Sequence, residues 1–354
     1  MKRKLAVLIP AYNEEKVLPN TLACLVKQVH FSDIYVISDQ STDATEEIAR
    51  SFNVNVLRNK VRSGKTLGIE NGLKHFKIFA RYEYVMILDA DTYPCDNFFN
   101  YIFEKFKKNK NVACVCGQVL TQDEANIFVY YRSLAYFVWQ NLFKNILSHF
   151  NAISIAPGTA TVYKTSVLMK IRLDPKIFIE DFDMTYQVHR KKLGRILYAY
   201  EAKVVTQDPD NLRDYIKQLT RWQIGQYQTM RKHKVPSRLE SLDISVVTLI
   251  LVDILHIFLI LIIIPAVIAY YKFFRVINLS DPLFLSIFLD MWIFIGMGIM
   301  HFLTTRSFAI LLLSPFLWLL QYLNIYTTIK ALYLTFFAEV YGTWTSPSRR
   351  IMRA

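Results

Sequence analysis

The sequence predicts an α/β domain built on a sheet of parallel strands, followed by helices apolar enough to enter a bilayer. Three observations predict it. Short apolar runs alternate with stretches of helical spacing from Leu5 to Leu88, and acidic or aromatic residues stand just past several of those runs. From about Ile244 the chain then turns strongly hydrophobic. Its 354 residues are 53% hydrophobic, high for a wholly soluble protein, and leave room for one large domain plus a membrane region.

In order, Leu5–Ile9 reads as a strand, Glu14–Gln28 as a helix, and Ile34–Ser38 as a strand. Asp43–Phe52 is helical, Val54–Leu57 a strand, Thr66–Phe79 a helix and Tyr84–Leu88 a strand. Ligands of such sheets bind beyond the carboxyl ends of the strands. Tyr12, Asp39, Asp89 and Asp91 all fall just after predicted strands, so they can share one crevice. The N-terminal apolar run ends at Pro10 and is followed by Asn13-Glu14-Glu15, which fits a first strand better than an export signal. Cys24, Cys95, Cys114 and Cys116 lack partners at metal spacing and read as buried thiols, with 114 and 116 on one face of a strand.

The expected division is 1–230 as the α/β domain, 231–243 as a basic juxtamembrane linker, 244–344 as membrane helices and 345–354 as a basic tail. Ile244–Tyr271 and Leu283–Leu303 each exceed the roughly 20 residues a span needs. Ser307–Trp344 is interrupted by Pro315 and Lys330, and reads either as one span with an interfacial helix or as two short spans. Asp253, His256, Asp290 and His301 are costly in lipid and should face protein or water. The tail Arg349-Arg350-Ile351-Met352-Arg353 favours the cytoplasm and hence an even number of crossings, whereas a simple three-span count puts it outside. From Ile244 there are seven Lys/Arg and four Asp/Glu, so ten of the thirteen net positive charges belong to residues 1–243. That charge suits anionic headgroups and a nucleotide; the apolar tail and the lack of a nucleic-acid motif argue against DNA or RNA.

Three groups carry chemistry. Asp89 and Asp91, one small residue apart at a strand end, can hold Mg²⁺ or Mn²⁺, whose other ligands would be phosphate and water oxygens. Paired acids also cap turns. Glu180-Asp181 lies between apolar Ile177-Phe178-Ile179 and Phe182, an environment that perturbs a carboxylate towards proton abstraction, although Asp181 could also serve as a helix N-cap. Gln218, Arg221 and Trp222 share a helical face, offering a fork for phosphate and a ring platform for a sugar. Alone, that Arg-Trp pair would read as an interfacial anchor.

Taken together, these residues resemble the inverting family 2 nucleotide-sugar glycosyltransferases of GT-A fold, which implies a Rossmann-like nucleotide-sugar-binding domain with a mixed sheet, followed here by transmembrane and interfacial helices. Within them the chain is similar to the membrane-integrated branch of cellulose, chitin, hyaluronan and poly-N-acetylglucosamine synthases. The resemblance rests on Ile9-Pro10-Ala11-Tyr12-Asn13-Glu14, Ser38-Asp39-Gln40-Ser41-Thr42-Asp43, Gly64-Lys65, Asp89-Ala90-Asp91, Glu180-Asp181 and Gln218-x-x-Arg221-Trp222. It implies that Pro10 and Tyr12 lie near the base, that Glu14 and Asp39 bind the nucleoside, and that Lys65 lies near the nucleotide. It also implies that Asp89 faces ribose or diphosphate, Asp91 ligates the metal, and Asp181, beside Glu180, deprotonates the acceptor. Gln218 and Arg221 would approach the diphosphate and Trp222 the acceptor terminus.

Three departures stand out. The commoner Asp-Asp-Gly-Ser is Ser38-Asp39-Gln40-Ser41 here, the usual Thr before Glu-Asp is Ile179, and no membrane helix precedes the domain. Gln-x-x-Arg-Trp is also similar to the end of ceramide glucosyltransferase-like enzymes. The expectation is therefore a membrane-bound, metal-dependent transferase facing the cytoplasm. It would take a UDP-sugar and glycosylate a growing glycan or a lipid, with any polymer channel coming from the C-terminal segments alone, a membrane partner or a homo-oligomer. A transporter component, an inactive sugar-nucleotide-binding protein and a glycoside hydrolase each leave part of this ordered set unexplained.

Overall fold

The computed structural model describes residues 2–122, 126–274, 288–338 and 349–351. Eight strands form one mixed sheet: β1 (Arg3–Ala11), β2 (Ile34–Ser38), β3 (Asn55–Arg58), β4 (Tyr82–Ile87), β5 (Thr92–Pro94), β6 (Val112–Thr121), β7 (Thr161–Lys164) and β8 (Arg195–Thr206). Their spatial order is β3-β2-β1-β4-β7-β6-β8-β5. The first four strands are parallel, as the alternating sequence pattern predicts. The second half departs from it: β7 runs antiparallel to both β4 and β6, and β5 antiparallel to β8. β1 sits centrally because its apolar run has no polar face to leave in water. Leu5, Val7, Ile9 and Ala11 pack on one side of the sheet and Ala6 and Leu8 on the other, the period of two that a strand imposes.

The sheet is flanked by α1 (Leu18–Leu25), α2 (Thr45–Ser51), α3 (Lys65–His75) and α4 (Phe98–Lys108). α1 is shorter than the pattern from Glu14 to Gln28 suggests, because Pro19 has no N–H to give and belongs in a first turn. Helices α5 (Ile127–Val138), α6 (Glu180–Arg190) and α7 (Leu212–Lys232) cover the open end of the sheet. α7 carries the Gln-Leu-Thr-Arg-Trp run and continues past residue 230 into the expected linker.

The apolar part comprises α8 (Ser241–Phe258), α9 (Ile264–Phe274), α10 (Leu289–Thr305), α11 (Phe308–Leu317) and α12 (Gln321–Phe336). Among the described residues, two helical runs, Ser241–Tyr270 and Phe308–Phe336, are long and apolar enough to cross a membrane by length and composition. In the second, Pro315 and Lys330 both lie inside one helical run that contains a tight turn at Trp318–Leu320. The expected segments starting at 283 and ending at 344 have those ends outside the described residues. His256 and Asp290 pair at 3.0 Å, and His301 lies 3.4 Å from the Ser133 hydroxyl, so three of the four costly polar residues face protein. Asp253 is exposed.

α6 is fastened to this region at both ends. Asp183 meets Lys232 at 3.0 Å and His233 at 2.7 Å, and Arg190 pairs with Glu240 at 3.0 Å and with buried Asp243. The basic linker therefore has internal partners as well as exposed charge.

Candidate active site

Beyond the C-terminal ends of β1, β4 and β8 lies a cavity of about 300 Å³. Pro10 lies in the last two residues of β1 and Glu14 follows it, Asp89 and Asp91 follow β4, Gln207 and Asp208 follow β8, and Glu180 and Asp181 open α6. Gln218, Arg221 and Trp222 reach in from α7, and Lys65 from the first position of α3. Ten of the twelve expected site residues thus share one wall. Tyr12 and Asp39 do not line it.

Asp39 is 1% exposed and has a structural task. Its carboxylate accepts hydrogen bonds from the Ser63 N–H (2.9 Å), the Gly64 N–H (2.8 Å) and the Asn59 amide (2.8 Å). It thereby holds the turn in which Gly64 adopts φ +83°, a left-handed conformation that glycine tolerates. That turn delivers Lys65 to the cavity. Tyr12 lies under the Arg62 guanidinium, 3.9 Å from its ring centroid.

Lys65 is the electrostatic hinge of the site. Its ammonium lies 2.6 Å from an oxygen of Asp89 and 2.6 Å from one of Glu180, joining the end of β4 to the start of α6. Burial works against its charge, but the two carboxylates prevail and raise its pKa. Burial likewise pushes Asp89 up, and Lys65 outweighs it, so Asp89 stays ionised below the usual range.

Asp181 has the opposite balance. Burial and the adjacent Glu180 carboxylate push its pKa up to about 6, with partial relief from the Gly158 N–H donating to its Oδ2 at 3.0 Å. Its other oxygen is buried without a hydrogen-bond partner. α6 begins at Glu180 with Ile179 as its N-cap residue, so Asp181 sits in the first turn and is not the cap. A carboxylate poised near neutrality and facing a cavity can take a proton.

Arg221 makes no hydrogen bond or ion pair among the described residues, and the carboxylates it faces include Glu180, Asp89 and Asp181. Burial lowers its pKa, yet it remains a cation aimed into the cavity. Gln218 accepts a hydrogen bond from Arg132 at 3.1 Å. The Arg132 guanidinium also lies 4.4 Å from the Trp222 ring centroid and 3.6 Å from Asp208, so it braces both ends of the α7 run from behind. Tyr136 and Trp139 add aromatic wall beside Trp222.

The sequence reading did not find Arg132, Asp208 or Arg349. Arg132 left one trace: an arginine in an otherwise apolar helix needs a buried partner. Arg349, read only as part of a basic tail, hydrogen-bonds Glu14 at 2.6 and 2.8 Å and pairs with Asp91.

Asp89 and Asp91 supply the hard oxygen donors that Mg²⁺ or Mn²⁺ prefers, and a guanidinium already stands as a cation between Asp91 and Glu14. No group of three or more His, Cys, Asp or Glu suited to a metal occurs among the described residues. The set therefore fits an ion that draws its remaining ligands from phosphate and water.

The model of the family described as glycosyltransferase like family 2 matches residues 3–225. The poly-β-1,6-N-acetyl-D-glucosamine synthase of Staphylococcus epidermidis is 27% identical over 245 residues, covering 66% of this chain and 57% of that protein. The synthase of the same name from Staphylococcus aureus is 25% identical over 229 residues, covering 63% and 54%. The chain therefore spans somewhat more than half the length of these relatives. Among solved structures, a mannosyltransferase from Pyrobaculum calidifontis, in complex with GDP-Man and Mn²⁺, shares the fold at TM-score 0.58 and 18% identity. That likeness covers 94% of this chain and 88% of the other, so it extends into the apolar helices.

Proposed function

From the chain's membership of glycosyltransferase family 2, with its GT-A fold, we propose that it moves a sugar from a UDP-sugar to a glycan hydroxyl at a membrane, inverting the anomeric centre. The observation that carries this reading is Asp181: a carboxylate pushed up to about 6, facing a cavity that also holds Asp89, Asp91 and Arg221, which has no ion pair among the described residues. The acceptor hydroxyl gives its proton to Asp181 Oδ while its oxygen attacks the anomeric carbon from the side opposite the leaving diphosphate. Glu180 is engaged by Lys65 at 2.6 Å, and its proximity helps push the Asp181 pKa up. Arg221 and Gln218 take the departing diphosphate, with the guanidinium placed to meet charge that grows as the bond breaks. A divalent ion held by Asp91, with Asp89 alongside, would neutralise that leaving group further.

The aromatic wall of Tyr136, Trp139 and Trp222 supports a sugar acceptor, since amphipathic rings stack well on sugar faces. The relatives' names favour UDP-N-acetylglucosamine as the first donor to try. Membrane attachment is supported by the two long apolar runs and by their exposed Leu251, Ile254, Leu255, Leu312 and Phe316 side chains.

The test supplies labelled UDP-sugars one at a time, with Mn²⁺ or Mg²⁺, to protein in lipid, and separates organic-extractable from high-molecular-weight product. Label in a large, glycosidase-sensitive fraction is expected. Label confined to the organic phase would instead make a lipid the acceptor.

A further inference from the structure

Arg349 grips Glu14 with two hydrogen bonds and spends another amino group on Asp91, while its own side chain is only 12% exposed. The segment is fastened there by its neighbour. The Arg350 N–H donates to Gln207 Oε1 at 3.1 Å, the Gln207 amide returns a bond to the Arg350 carbonyl at 3.2 Å, and the Arg350 guanidinium reaches the Asp208 carbonyl at 2.8 Å.

Glu14 and Asp91 are 1% and 7% exposed, and buried carboxylates this close need a cation. A guanidinium engaged on both Glu14 oxygens and on Asp91 leaves no room for a metal ion on the same atoms. The whole cavity is lined by six carboxylates against four Lys and Arg side chains, so a diphosphate entering it requires added positive charge. An ion carrying two charges supplies this where a singly charged arginine does not.

We propose that Glu14 and Asp91 form one cation site with two alternative occupants, the Arg349 guanidinium and the divalent ion that accompanies the donor. The C-terminal segment thus closes the donor site until ion and nucleotide displace it. The identity of the second occupant rests on the transferase reading. Glu14, on this account, belongs to the cation site rather than to the nucleoside pocket.

The experiment titrates Mn²⁺ into the full chain in lipid, reading free Mn²⁺ by electron paramagnetic resonance, with and without UDP. Arg349→Ala should bind Mn²⁺ about tenfold more tightly than the parent if the arginine fills the site in nine molecules of ten. Arg349→Lys, which keeps the charge but loses the fork, should fall between them and guards against a folding defect in the alanine variant. Adding Glu14→Gln to Arg349→Ala should abolish most of the gain. Equal Mn²⁺ affinity in parent and Arg349→Ala overturns the proposal, as does the absence of Mn²⁺ binding from both. Weaker UDP binding with unchanged Mn²⁺ affinity also overturns it, making Arg349 a nucleotide ligand. Sugar transfer measured on the same samples separates the two readings: transfer with unchanged Mn²⁺ affinity sinks the plug alone, while no transfer from any donor sinks the parent reading.

Discussion

At the scale of single residues, the site works by giving two adjacent carboxylates different partners. Glu180 has Lys65 at 2.6 Å, whereas Asp181 has one backbone N–H and a buried, unpartnered oxygen. The pH dependence follows with a definite sign. A base titrating at about 6 is protonated and idle below that pH, so kcat/KM should rise roughly tenfold per unit up to pH 6 and level off above it. A limb near pH 4 would mean that the burial and the Glu180 repulsion do not act on the base. Two departures from the family pattern also find physical reasons. Gln40 occupies a left-handed φ of +66°, which explains why a glycine is commoner at that position. Ile179, where a hydroxyl could cap α6, is 8% exposed and spent on packing against Gly225. The acids were legible because each stands beside an apolar strand or helix start in the sequence. Arg132 and Arg349 were not, since only tertiary folding brings them to α7 and to Glu14.

At the scale of elements, the separation between α7 and the start of α6 decides whether Arg221 and Asp181 face one another. Gly225 sets that separation. A Cβ at this position would come within 2.5 Å of Ile179 Cγ1 and 3.2 Å of its backbone N, and Ile179 directly precedes Glu180. Gly225→Ala gains about 1 kcal/mol of helix propensity and loses about 1–3 kcal/mol to overpacking, so the net effect is destabilising. We expect a melting temperature lower by a few degrees and a larger fractional loss of transfer. Ile179→Ala in the same chain should restore part of both, measured by thermal denaturation and initial rate. A Gly225→Ala protein with full activity would show that α7 can shift without cost. The parallel strands were readable from the alternation of apolar runs and helical spacing. The antiparallel β7 and the short β5 were not, because pairing partners far apart in sequence decide them.

At the scale of the whole molecule, the catalytic helix and the apolar helices are joined by direct bonds. Gln223, next to Trp222, donates to Thr328 on α12 at 2.7 Å, and Asn324 donates to Tyr131 on α5 at 2.6 Å. Arg349 pairs with Glu14 at 2.6 Å, so residues 349–351 lie against the α/β domain. The sequence showed the apolar tail plainly but not this contact, because it joins residues 335 positions apart. The central claim of the proposed function is that Asp181 is the base of a sugar transfer. The most direct test compares initial rates of label transfer from the UDP-sugar for the parent and Asp181→Asn at pH 7.5, with melting curves on both. The account predicts an equally folded variant whose rate falls by about 10²–10⁴-fold. A folded Asp181→Asn protein that transfers sugar within a few-fold of the parent would contradict it.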